Sequence, residues 1–499
     1  MKKWFPITVC ALLVSLQTLA QKYDYQWPFG DGHNIDNGFG ISLLNFNNSQ
    51  VTVSAFAETD PEMSNSGSFI CDKNGALMLM TNNCEVYNRD FQVIEGGDSL
   101  TSGNTFNNFC ADFGDYPADQ SSLFLPALDN DSVTYLLHKD SELSDPLQDV
   151  VSRHFYLSII VRKADGSFYR KEKRLLLSTN MVVNRLTACL HQDGVRWWTW
   201  VAGYNTNKFY KFLVGGPEMV QGPFVQNIGP VLLNTQVGIG QIAFSPNGGM
   251  LGMNNKVYGA LLYDFDPASG DLSNWKSYLY PNATGETAEG LVFSPNSRFL
   301  YLTAGRDIYQ MDLQDPDPAA STLKLAHLSL QDETGWPIGV GSMYLGPDCR
   351  VYVGPGSTTF YIHTIHQPNE KGLDCQFEIN AIRAPTRLEF DLPNIPMYRF
   401  NGQCDGNIDW GIVGTNELEG IRDDIRVFPN PFHEAIYIRT EPLSAPGTFL
   451  LFSSIGNVIR RQEFSGSIEI ETGSLPAGIY FWSLEMEGLM VRSGKCVKK

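Results

Sequence analysis

The middle of the chain repeats one short pattern: an apolar run, a polar turn and a second apolar run. The clearest turns centre on Pro246, Pro295 and Pro347, which lie 49 and 52 residues apart. Proline fixes φ near −65°, and the Asn, Asp or Gly beside it tolerates positive φ, so each copy predicts a β-hairpin. Repeats of about 40–50 residues with four strands each are typical of β-propeller blades.

Weaker copies of the pattern begin near Phe69, Asp129 and Leu190, and a second hairpin type occupies residues 260–270. About 360 residues divided by a step of about 50 predict about seven blades. The strand-like segment 41–56 could pair with the last blade and close the ring, which would remove exposed strand edges. Two or three β-sandwiches in series are the alternative architecture, although a sandwich does not require a fixed repeat of this length.

The composition is typical of an all-β protein and limits the classes of partner that it could bind. The 499 residues include 30 Phe, 21 Tyr, 9 Trp and 46 Gly, and only 18% are charged. Acidic residues outnumber basic ones by 54 to 36, a net charge of −18. Nucleic acids and anionic membranes are bound through clustered positive charge, so neither is expected as a partner.

The N-terminus has the pattern of a secretory signal peptide covering residues 1–20. Lys2 and Lys3 precede an apolar run over 7–19, and small residues occupy the positions before a cut at Gln21. A run of about 13 apolar residues is too short to span a bilayer, which needs about 20. We therefore expect recognition by the Sec export machinery and no transmembrane segment in the mature chain.

The mature chain retains eight cysteines, which allow 105 disulfide connectivities. The nearest candidates within compact segments are Cys71 with Cys84 and Cys375 with Cys404. The sequence contains no Cys-x-x-Cys pair, so the commonest thiol-redox and zinc-ribbon sites are not expected.

Composition changes near residue 405 and again near 425. We predict a propeller domain over 21–404 and an exposed acidic linker over 405–424, which is rich in Asp, Glu, Gly and Asn. The tail, 425–499, has eight basic and seven acidic residues, whereas 21–424 has a net charge of −21. About seven short strands in the tail predict a small immunoglobulin-like antiparallel β-sandwich.

Four motifs in the tail carry a family resemblance. Val-Phe-Pro-Asn-Pro at 427–431, Leu-Phe-Ser-Ser-Ile-Gly-Asn-Val at 451–458, Leu-Pro-Ala-Gly-Ile-Tyr at 475–480 and Gly-Lys-Cys-Val-Lys-Lys at 494–499 resemble the type A C-terminal sorting domain of type IX secretion cargo. The motif residues are Pro429, Asn430, Pro431, Gly456, Gly478, Tyr480, Lys495 and Lys498.

The resemblance implies a route. After transit through the periplasm, the type IX translocon would carry the cargo across the outer membrane, leaving it secreted or on the cell surface of a Gram-negative bacterium. The alternative is an accessory sandwich with no sorting role.

The body also resembles known propellers. The phrase at 260–270 is similar to blades of seven-bladed lactonase-like and WD40-like propellers. Segments 27–30, 71–77, 365–375 and 392–396 are similar to a group of surface propellers that precede this kind of tail. This second resemblance implies an architecture but no chemistry.

Candidate site residues are few, because the usual hydrolase, zinc-protease, phosphate-loop and EF-hand motifs are absent from the sequence. Glu286 and Glu289 lie where an inner strand should start, so they could face the channel as an acid/base pair or bind a cation; solvated loop acids are the alternative. Trp198 and Trp200 share one strand face, as a sugar-stacking platform or as packing between blades.

Two further pairs are weaker. His363 and His366 would point to opposite faces of a strand, so no metal site is predicted there. Asp264 and Asp266 resemble the start of a calcium loop, but the following spacing favours a hairpin turn. No cofactor is evident, although such carboxylates could bind calcium.

Two functions remain open. The first is a non-catalytic binding or adhesion protein that engages an extracellular glycan or protein through its loop face. The second is an extracellular hydrolase or lactonase with a carboxylate or cation site in the channel. Three or more acidic or amide groups converging at the ring axis would favour the enzyme, and a channel blocked by apolar side chains, with an aromatic patch on one rim, would favour the binder.

Overall fold

The computed structural model describes residues 22–31, 38–47, 49–57, 63, 67–103, 106–111, 118–140, 142–143, 150–232, 240–283, 288–332, 334–388, 391–414, 425–440, 446–453, 458–465, 468–486 and 489–499. The chain forms two compact units, Met1–Thr415 and Asn416–Lys499. Within the described ranges, helix is limited to short turns at Phe106–Cys110, Gly372–Cys375 and Phe400–Gly402, none of which could cross a membrane. The predicted signal peptide lies outside these ranges.

The described part of the first unit contains seven sheets in sequence order. The strands of the first three sheets are β1 (Gln26–Asp31), β2 (Gly40–Asn45) and β3 (Gln50–Ala57); β4 (Ser68–Cys71), β5 (Leu77–Thr81) and β6 (Val86–Asn88); β7 (Ser122–Pro126), β8 (Val133–Lys139), β9 (Glu142–Leu143), β10 (Val150–Arg162) and β11 (Phe168–Met181).

The next four sheets have four strands each, in simple antiparallel order. Their strands are β12 (Thr187–Leu190), β13 (Trp197–Ala202), β14 (Thr206–Val214) and β15 (Val220–Leu232); β16 (Ile242–Phe244), β17 (Met250–Asn255), β18 (Gly259–Phe265) and β19 (Leu272–Tyr278); β20 (Ala288–Phe293), β21 (Phe299–Ala304), β22 (Asp307–Asp312) and β23 (Leu323–His327); β24 (Met343–Leu345), β25 (Val351–Val353), β26 (Thr359–Ile365) and β27 (Phe377–Leu388).

The repeated proline turns join the first two strands of successive blades, as predicted. Two of them are fixed in the same way, because the Ser245 and Ser294 hydroxyls accept the N–H groups of Met250 and Phe299 at 2.9 and 2.8 Å. The first strands of neighbouring sheets contact one another, so they line the ring axis. The prediction of an all-β propeller with about seven blades is confirmed.

Hydrophobic cores lie between successive sheets. Trp200, Phe209 and Tyr263 pack edge to face between the fourth and fifth sheets, with ring centroids 5.8 and 5.9 Å apart. The first and last sheets meet in the same way, because the Trp27 and Phe46 rings lie 5.3 and 5.4 Å from Tyr352. The sheets therefore close into a ring.

The predicted boundary between propeller and linker is wrong by about ten residues. Asp409–Gly414 forms β28, which pairs in parallel with β3 at the edge of the first sheet. A run containing Trp410, Ile412 and Val413 can pair with an unoccupied strand edge, whereas a solvated linker would leave that edge exposed. The segment 41–56 likewise pairs with β1 and β28 rather than with the last blade. Residues 415–424 lie outside the described ranges.

Residues 391–408, which we call the axial segment, connect β27 to β28 through the centre of the ring. The Asn394 N–H donates to Gly67 at 2.7 Å and the Met397 N–H to Ala188 at 3.1 Å, which are contacts with the second and fourth sheets. Farther on, Asn401 and Asp405 donate to the carbonyls of Pro246 and Pro347 at 2.7 and 2.9 Å. The repeated turns thus hold the end of this segment.

The disulfide pairings predicted from sequence proximity are also wrong. The bonds are Cys84–Cys110 and Cys349–Cys404. Cys404 lies in the axial segment, which places it against the proline turn of the last blade and away from Cys375. Cys71 and Cys375 are buried free thiols, and Cys189 and Cys496 are buried as well.

In the described part of the second unit there are a three-stranded and a four-stranded sheet, in orders β29-β30-β33 and β32-β31-β34-β35. Their strands are β29 (Ile425–Phe428), β30 (Ala435–Thr440), β31 (Pro446–Phe452), β32 (Val458–Ser465), β33 (Ile468–Glu471), β34 (Gly478–Met486) and β35 (Leu489–Lys498). Ile436, Phe449 and Leu484 are among the side chains of their shared buried core. The predicted small sandwich is confirmed.

Candidate functional site

Side-chain amides bridge the ring axis at the face where the first strand of each blade begins, which we call the upper face. Gln120 precedes β7, and its amide both accepts from and donates to the backbone of Ile242, at 3.0 and 3.1 Å. Gln241 precedes β16; it accepts the N–H of Met343 at 2.9 Å and donates to the Met343 carbonyl at 2.7 Å. Each amide therefore forms one donated and one accepted backbone hydrogen bond, as a neighbouring strand would. It forms them with the blade two positions further around the ring.

Asn394 of the axial segment completes this network. Its amide nitrogen donates to the carbonyls of Ser122 and Leu186, both at 2.9 Å. Its amide oxygen accepts from Gln120 at 3.3 Å. The described residues thus fill the axis with satisfied hydrogen bonds rather than leaving an open channel.

A small polar cavity lies at the upper end of the axis. The centre of a water molecule could occupy about 20 Å³ of it, which is room for about one water. Three carboxylates, three amides and two hydroxyls contribute to its lining, which comprises Asp119, Gln120, Asn184, Gly240, Gln241, Glu289, Ser342, Tyr344, Asp391 and Leu392. Acidic groups from two blades and the axial segment therefore meet in one cavity.

Ionisable groups line this cavity, and two buried cations bond to the backbone of residues in its wall. Burial, together with the Asp391 and Asp119 carboxylates, raises the pKa of the Tyr344 phenol well above its usual value, which keeps it neutral. Lys139 is buried and donates to the carbonyls of Val182 and Asn184 at 3.1 and 2.6 Å. Burial and the nearby Arg185 guanidinium lower the Lys139 pKa to about 7.

Arg185 is the second buried cation. It donates to the carbonyls of Gly240 and Asn254, both at 3.1 Å, and burial lowers its pKa to about 10. Sequence reasoning did not single out either cation. The one indication in the sequence is the lysine at the end of the apolar strand β8. A charged side chain is unexpected there unless it is hydrogen-bonded or paired with an opposite charge.

Of the two predicted carboxylates, Glu289 lines this cavity, and its backbone carbonyl accepts from Gln241 at 2.7 Å. Glu286 lies outside the described ranges, so an acid/base pair of these two stays a prediction. The described residues contain no group of three His, Cys, Asp or Glu side chains arranged to hold a metal ion.

Of the two interpretations of Trp198 and Trp200, packing between blades is correct and a sugar-stacking platform is wrong. Trp198 is only 4% exposed, and Trp200 is fully buried between the fourth and fifth sheets. The Trp198 indole N–H donates to the carbonyl of Pro267 at 3.1 Å, and Gly270 packs directly against its ring. The shared strand face was predicted, but the neighbouring blade covers it.

The histidine pair and the aspartate pair that the sequence offered as weaker candidates are hydrogen-bonded to nearby residues. Both ring nitrogens of His363 are hydrogen-bonded, to Gly339 and Asn380, while His366 contacts Glu378 at 2.7 Å. Asp266 accepts from Ala268 and Ser269 within a hairpin turn. Asp264 accepts from Asn274 at 2.9 Å.

One exposed aromatic residue on the upper face was not anticipated. Trp336 is 52% exposed, in the connection that leads to β24. Asp332 holds this loop: its carboxylate accepts the N–H groups of Thr334 and Trp336 at 2.8 and 3.0 Å and the Arg387 guanidinium at 3.2 Å. An indole is therefore presented to solvent on a well-braced turn.

In the second unit, the motif residues are brought together. The Asn430 side chain accepts the N–H of Val497 at 3.0 Å, and Phe432 exchanges backbone hydrogen bonds with Val497 and Lys499. Tyr480 packs on Phe432 at 6.0 Å and donates its hydroxyl proton to Pro476 at 2.8 Å.

The other motif residues lie around this cluster. Lys498 lies over the Phe432 ring at 5.7 Å, and Pro429 and Pro431 are exposed. Gly478 and Lys495 pair with Lys498 and Phe481 in the sheet. Gly456 lies outside the described ranges.

Residues 426–499 match the family model of the secretion system C-terminal sorting domain. The second unit is a type IX sorting domain, and the chain is cargo of that system, secreted or displayed on the surface of a Gram-negative bacterium. No curated protein is significantly similar to the chain.

Among solved structures, the chain is similar to a putative 6-phosphogluconolactonase from Bacteroides fragilis (TM-score 0.39, 11% identity, 74% of this chain and 99% of that one). It is also similar to the periplasmic gluconolactonase PpgL of Pseudomonas aeruginosa (TM-score 0.37, 13% identity, 91% and 99%). Similarities at these TM-scores and identities do not indicate an activity. The propeller fold is established by the arrangement of the sheets in this chain.

Proposed function

We propose that the first unit is a non-catalytic binding module, delivered outside the cell by its sorting domain, that engages an extracellular glycan or protein through its upper face. The observation that carries the proposal is the filled axis. The axial segment and the Gln120 and Gln241 amides occupy the centre of the ring, and the remaining cavity is too small for a sugar ring.

The Trp336 loop is the contact surface that we propose. A tryptophan offers a large apolar face and one N–H donor, and such residues dominate the energetics of many binding sites. Since Asp332 already fixes the loop, little conformational entropy is lost when a ligand binds.

Binding can be tested with the purified mature protein on immobilised extracellular glycans and surface proteins, followed by calorimetry on each hit. Trp336→Ala should weaken the measured affinity at least tenfold. Trp275→Ala is the matched control, since Trp275 is also exposed but lies on β19. Equal affinity for the Trp336→Ala variant and the unmodified protein would reject this loop as the contact surface.

One observation favours the alternative, an extracellular hydrolase or lactonase with a cation at the axis: Asp119, Glu289 and Asp391 line the same cavity as three side-chain amides. This is the convergence of acidic and amide groups that is expected of an enzyme. Carboxylate oxygens are the ligands that calcium prefers. Calorimetric calcium titration and a lactone hydrolysis assay separate the two functions. A binding module shows no hydrolysis with or without calcium, whereas an enzyme loses activity in Glu289→Gln and Asp391→Asn.

A further inference from the structure

A groove much larger than the axial cavity lies between the second and third sheets, on the face opposite to the Trp336 loop. The turns that join the first two strands of these sheets, 72–76 and 127–132, border its inner part, and the turn between β10 and β11 borders its outer part. The centres of water molecules could occupy about 410 Å³ of the outer part and about 110 Å³ of the inner part. Sites for small organic ligands have volumes of about 300–1,000 Å³. We call this space the rim groove.

Arg162 lies where the two parts of the rim groove meet, because it lines both of them together with Asp72 and Met78. Its guanidinium lies over the ring of Phe168 at 5.8 Å, a distance at which the ring face attracts the cation. This guanidinium has no hydrogen-bond or ion-pair partner among the described residues. A cation in this state, in a chain with 54 acidic and 36 basic residues, indicates a place for an anion from outside.

The carboxylates that line the rim groove are already engaged by the chain itself. Glu95, Asp90 and Asp131 each pair with a cation. These cations are, in the same order, Lys163 at 2.5 Å, Arg89 at 3.9 Å and Lys73. Asp72 accepts two backbone N–H groups of its own turn through one oxygen, at 2.8 and 3.0 Å. Among the charged side chains of the groove, Arg162 therefore remains available to a ligand.

Two neutral hydrogen-bond donors line the same groove. Tyr23 is only 6% exposed, yet its hydroxyl has no hydrogen-bond partner in the described part of the chain. Burial, together with the Asp131 and Asp72 carboxylates, raises the Tyr23 pKa to about 12, so the hydroxyl keeps its proton and can donate it. In the outer part, the Asn88 oxygen accepts two backbone N–H groups, both at 2.9 Å, and its NH2 group is left to donate.

The remaining surface of the outer part is rich in apolar side chains, which are Ala76, Leu77, Met78, Val93, Ile94 and Phe168. Apolar walls with a few placed polar groups are typical of sites for small organic ligands. Since the available polar groups are donors, a matching ligand is rich in acceptors. A saccharide offers C–H faces to apolar walls and oxygens to donors, and a carboxylate can accept two hydrogen bonds from one guanidinium.

We propose that the rim groove binds a short acidic saccharide, with its carboxylate on Arg162 and other oxygens on Tyr23 and Asn88. A hydroxyl of the same saccharide can donate to the second carboxylate oxygen of Asp72. A peptide fits less well, because its backbone N–H groups require acceptors and three of the four carboxylates are paired with cations. The site lies on the face opposite to the Trp336 loop, so it does not depend on the contact surface proposed there.

The test is calorimetry on the purified mature protein, with digalacturonate as the probe and its dimethyl ester as the uncharged analogue. Digalacturonate should bind at one site per chain, and the ester should bind at least tenfold more weakly. Arg162→Gln should weaken digalacturonate binding at least tenfold, and Tyr23→Phe, which removes only the hydroxyl, about threefold. Arg153→Gln is the matched control, since Arg153 is also an exposed arginine of β10 but lies outside the rim groove. Its affinity should equal that of the unmodified protein.

The other outcomes overturn the proposal. No binding of digalacturonate, or equal affinity for the ester, excludes an acidic saccharide at this site. Binding that Arg162→Gln leaves unchanged and Trp336→Ala abolishes assigns the saccharide to the surface on the opposite face. Tighter binding of an acetylated glutamate-containing peptide amide than of digalacturonate assigns the groove to a protein ligand. Because Arg162 is exposed, Arg162→Gln should unfold at the same temperature as the unmodified protein, and its loss of affinity then reports on the contact itself.

Discussion

Polar side chains that are buried at the ring axis hold the blades in register. Gln120, Gln241 and Asn394 each make at least two hydrogen bonds to blades other than their own, in surroundings where an unpaired amide would cost about 1–3 kcal/mol. Lys139 contributes in a different way, because its ammonium donates to two carbonyls while burial opposes its charge. These residues make the centre of the ring rigid and polar.

Lys139 should give the protein a pH-dependent stability. Its pKa is about 7 in the folded protein and near 10.5 in the unfolded chain, so the unfolded chain binds more protons between these values. The free energy of unfolding should therefore rise with pH in that window, by up to about 1.4 kcal/mol per pH unit. Denaturant unfolding from pH 6 to pH 10 should show this slope, and Lys139→Met should lack it.

Lys171→Met is the control for this experiment, because Lys171 is exposed. Its unfolding free energy should follow that of the unmodified protein at every pH. Parallel profiles for Lys139→Met and the unmodified protein would mean that Lys139 does not titrate as described.

A second buried charge anchors the axial segment. Arg399 pairs with Asp24, and both side chains are almost fully buried. Burial raises the Asp24 pKa and Arg399 opposes that rise, so removing the arginine leaves an uncompensated acid. Arg399→Met should lower the free energy of unfolding by about 3–5 kcal/mol, measured in denaturant.

The double variant Arg399→Met with Asp24→Asn removes both charges. It should be more stable than Arg399→Met alone, because no buried charge is left without a partner. A double variant that is as unstable as the single one would assign the loss to packing rather than to charge.

At the scale of elements, local patterns were predictable and distant contacts were not. The Ser-Pro-Asn turns at 245–247 and 294–296 contain the groups that fix them, so their hairpins follow from the sequence alone. Asp405 shows the opposite case: it looked like a solvated linker acid, yet it accepts the Tyr25 hydroxyl at 3.1 Å across 380 residues.

The features of the candidate site also fall into those that local sequence predicts and those that depend on distant contacts. The position of Glu289 follows from its place at the start of an inner strand. The burial of Trp198 depends on Gly270 of the next blade, and the pairing of Cys404 depends on the path of the axial segment. These features require the assembled ring, which periodicity alone does not describe.

The Cys349–Cys404 bond ties the axial segment to the last blade, and its removal should loosen that segment. Since it closes a loop with a sequence separation of 55 residues, Cys349→Ser with Cys404→Ser should lower the free energy of unfolding by about 2–4 kcal/mol. Hydrogen exchange should rise in residues 391–408.

Cys71→Ala and Cys375→Ala serve as controls, because both disulfide-linked peptides should stay intact in non-reducing peptide maps of these variants. Loss of either peptide would contradict the pairing.

The whole molecule combines two units that differ in charge and have separate cores. The ring side of the chain, 21–424, carries a net charge of −21, while the tail is close to neutral. Among the described residues, the core of the second unit is formed by side chains of that unit, including Phe449, Leu451 and Trp482. Folding of the ring should therefore not require the sorting domain, although its delivery does.

Two truncations separate these roles and locate the end of the ring. A chain ending at residue 424 keeps β28 and the Cys349–Cys404 bond, so its ring should unfold at the same temperature as in the full-length protein while the protein stays in the periplasm. A chain ending at residue 403 lacks both, which exposes the edge of β3 and frees the axial segment. Its ring should unfold at a clearly lower temperature in calorimetry. Equal transitions for the two chains would show that β28 does not close the ring, and external appearance of either chain would show that the tail does not direct export.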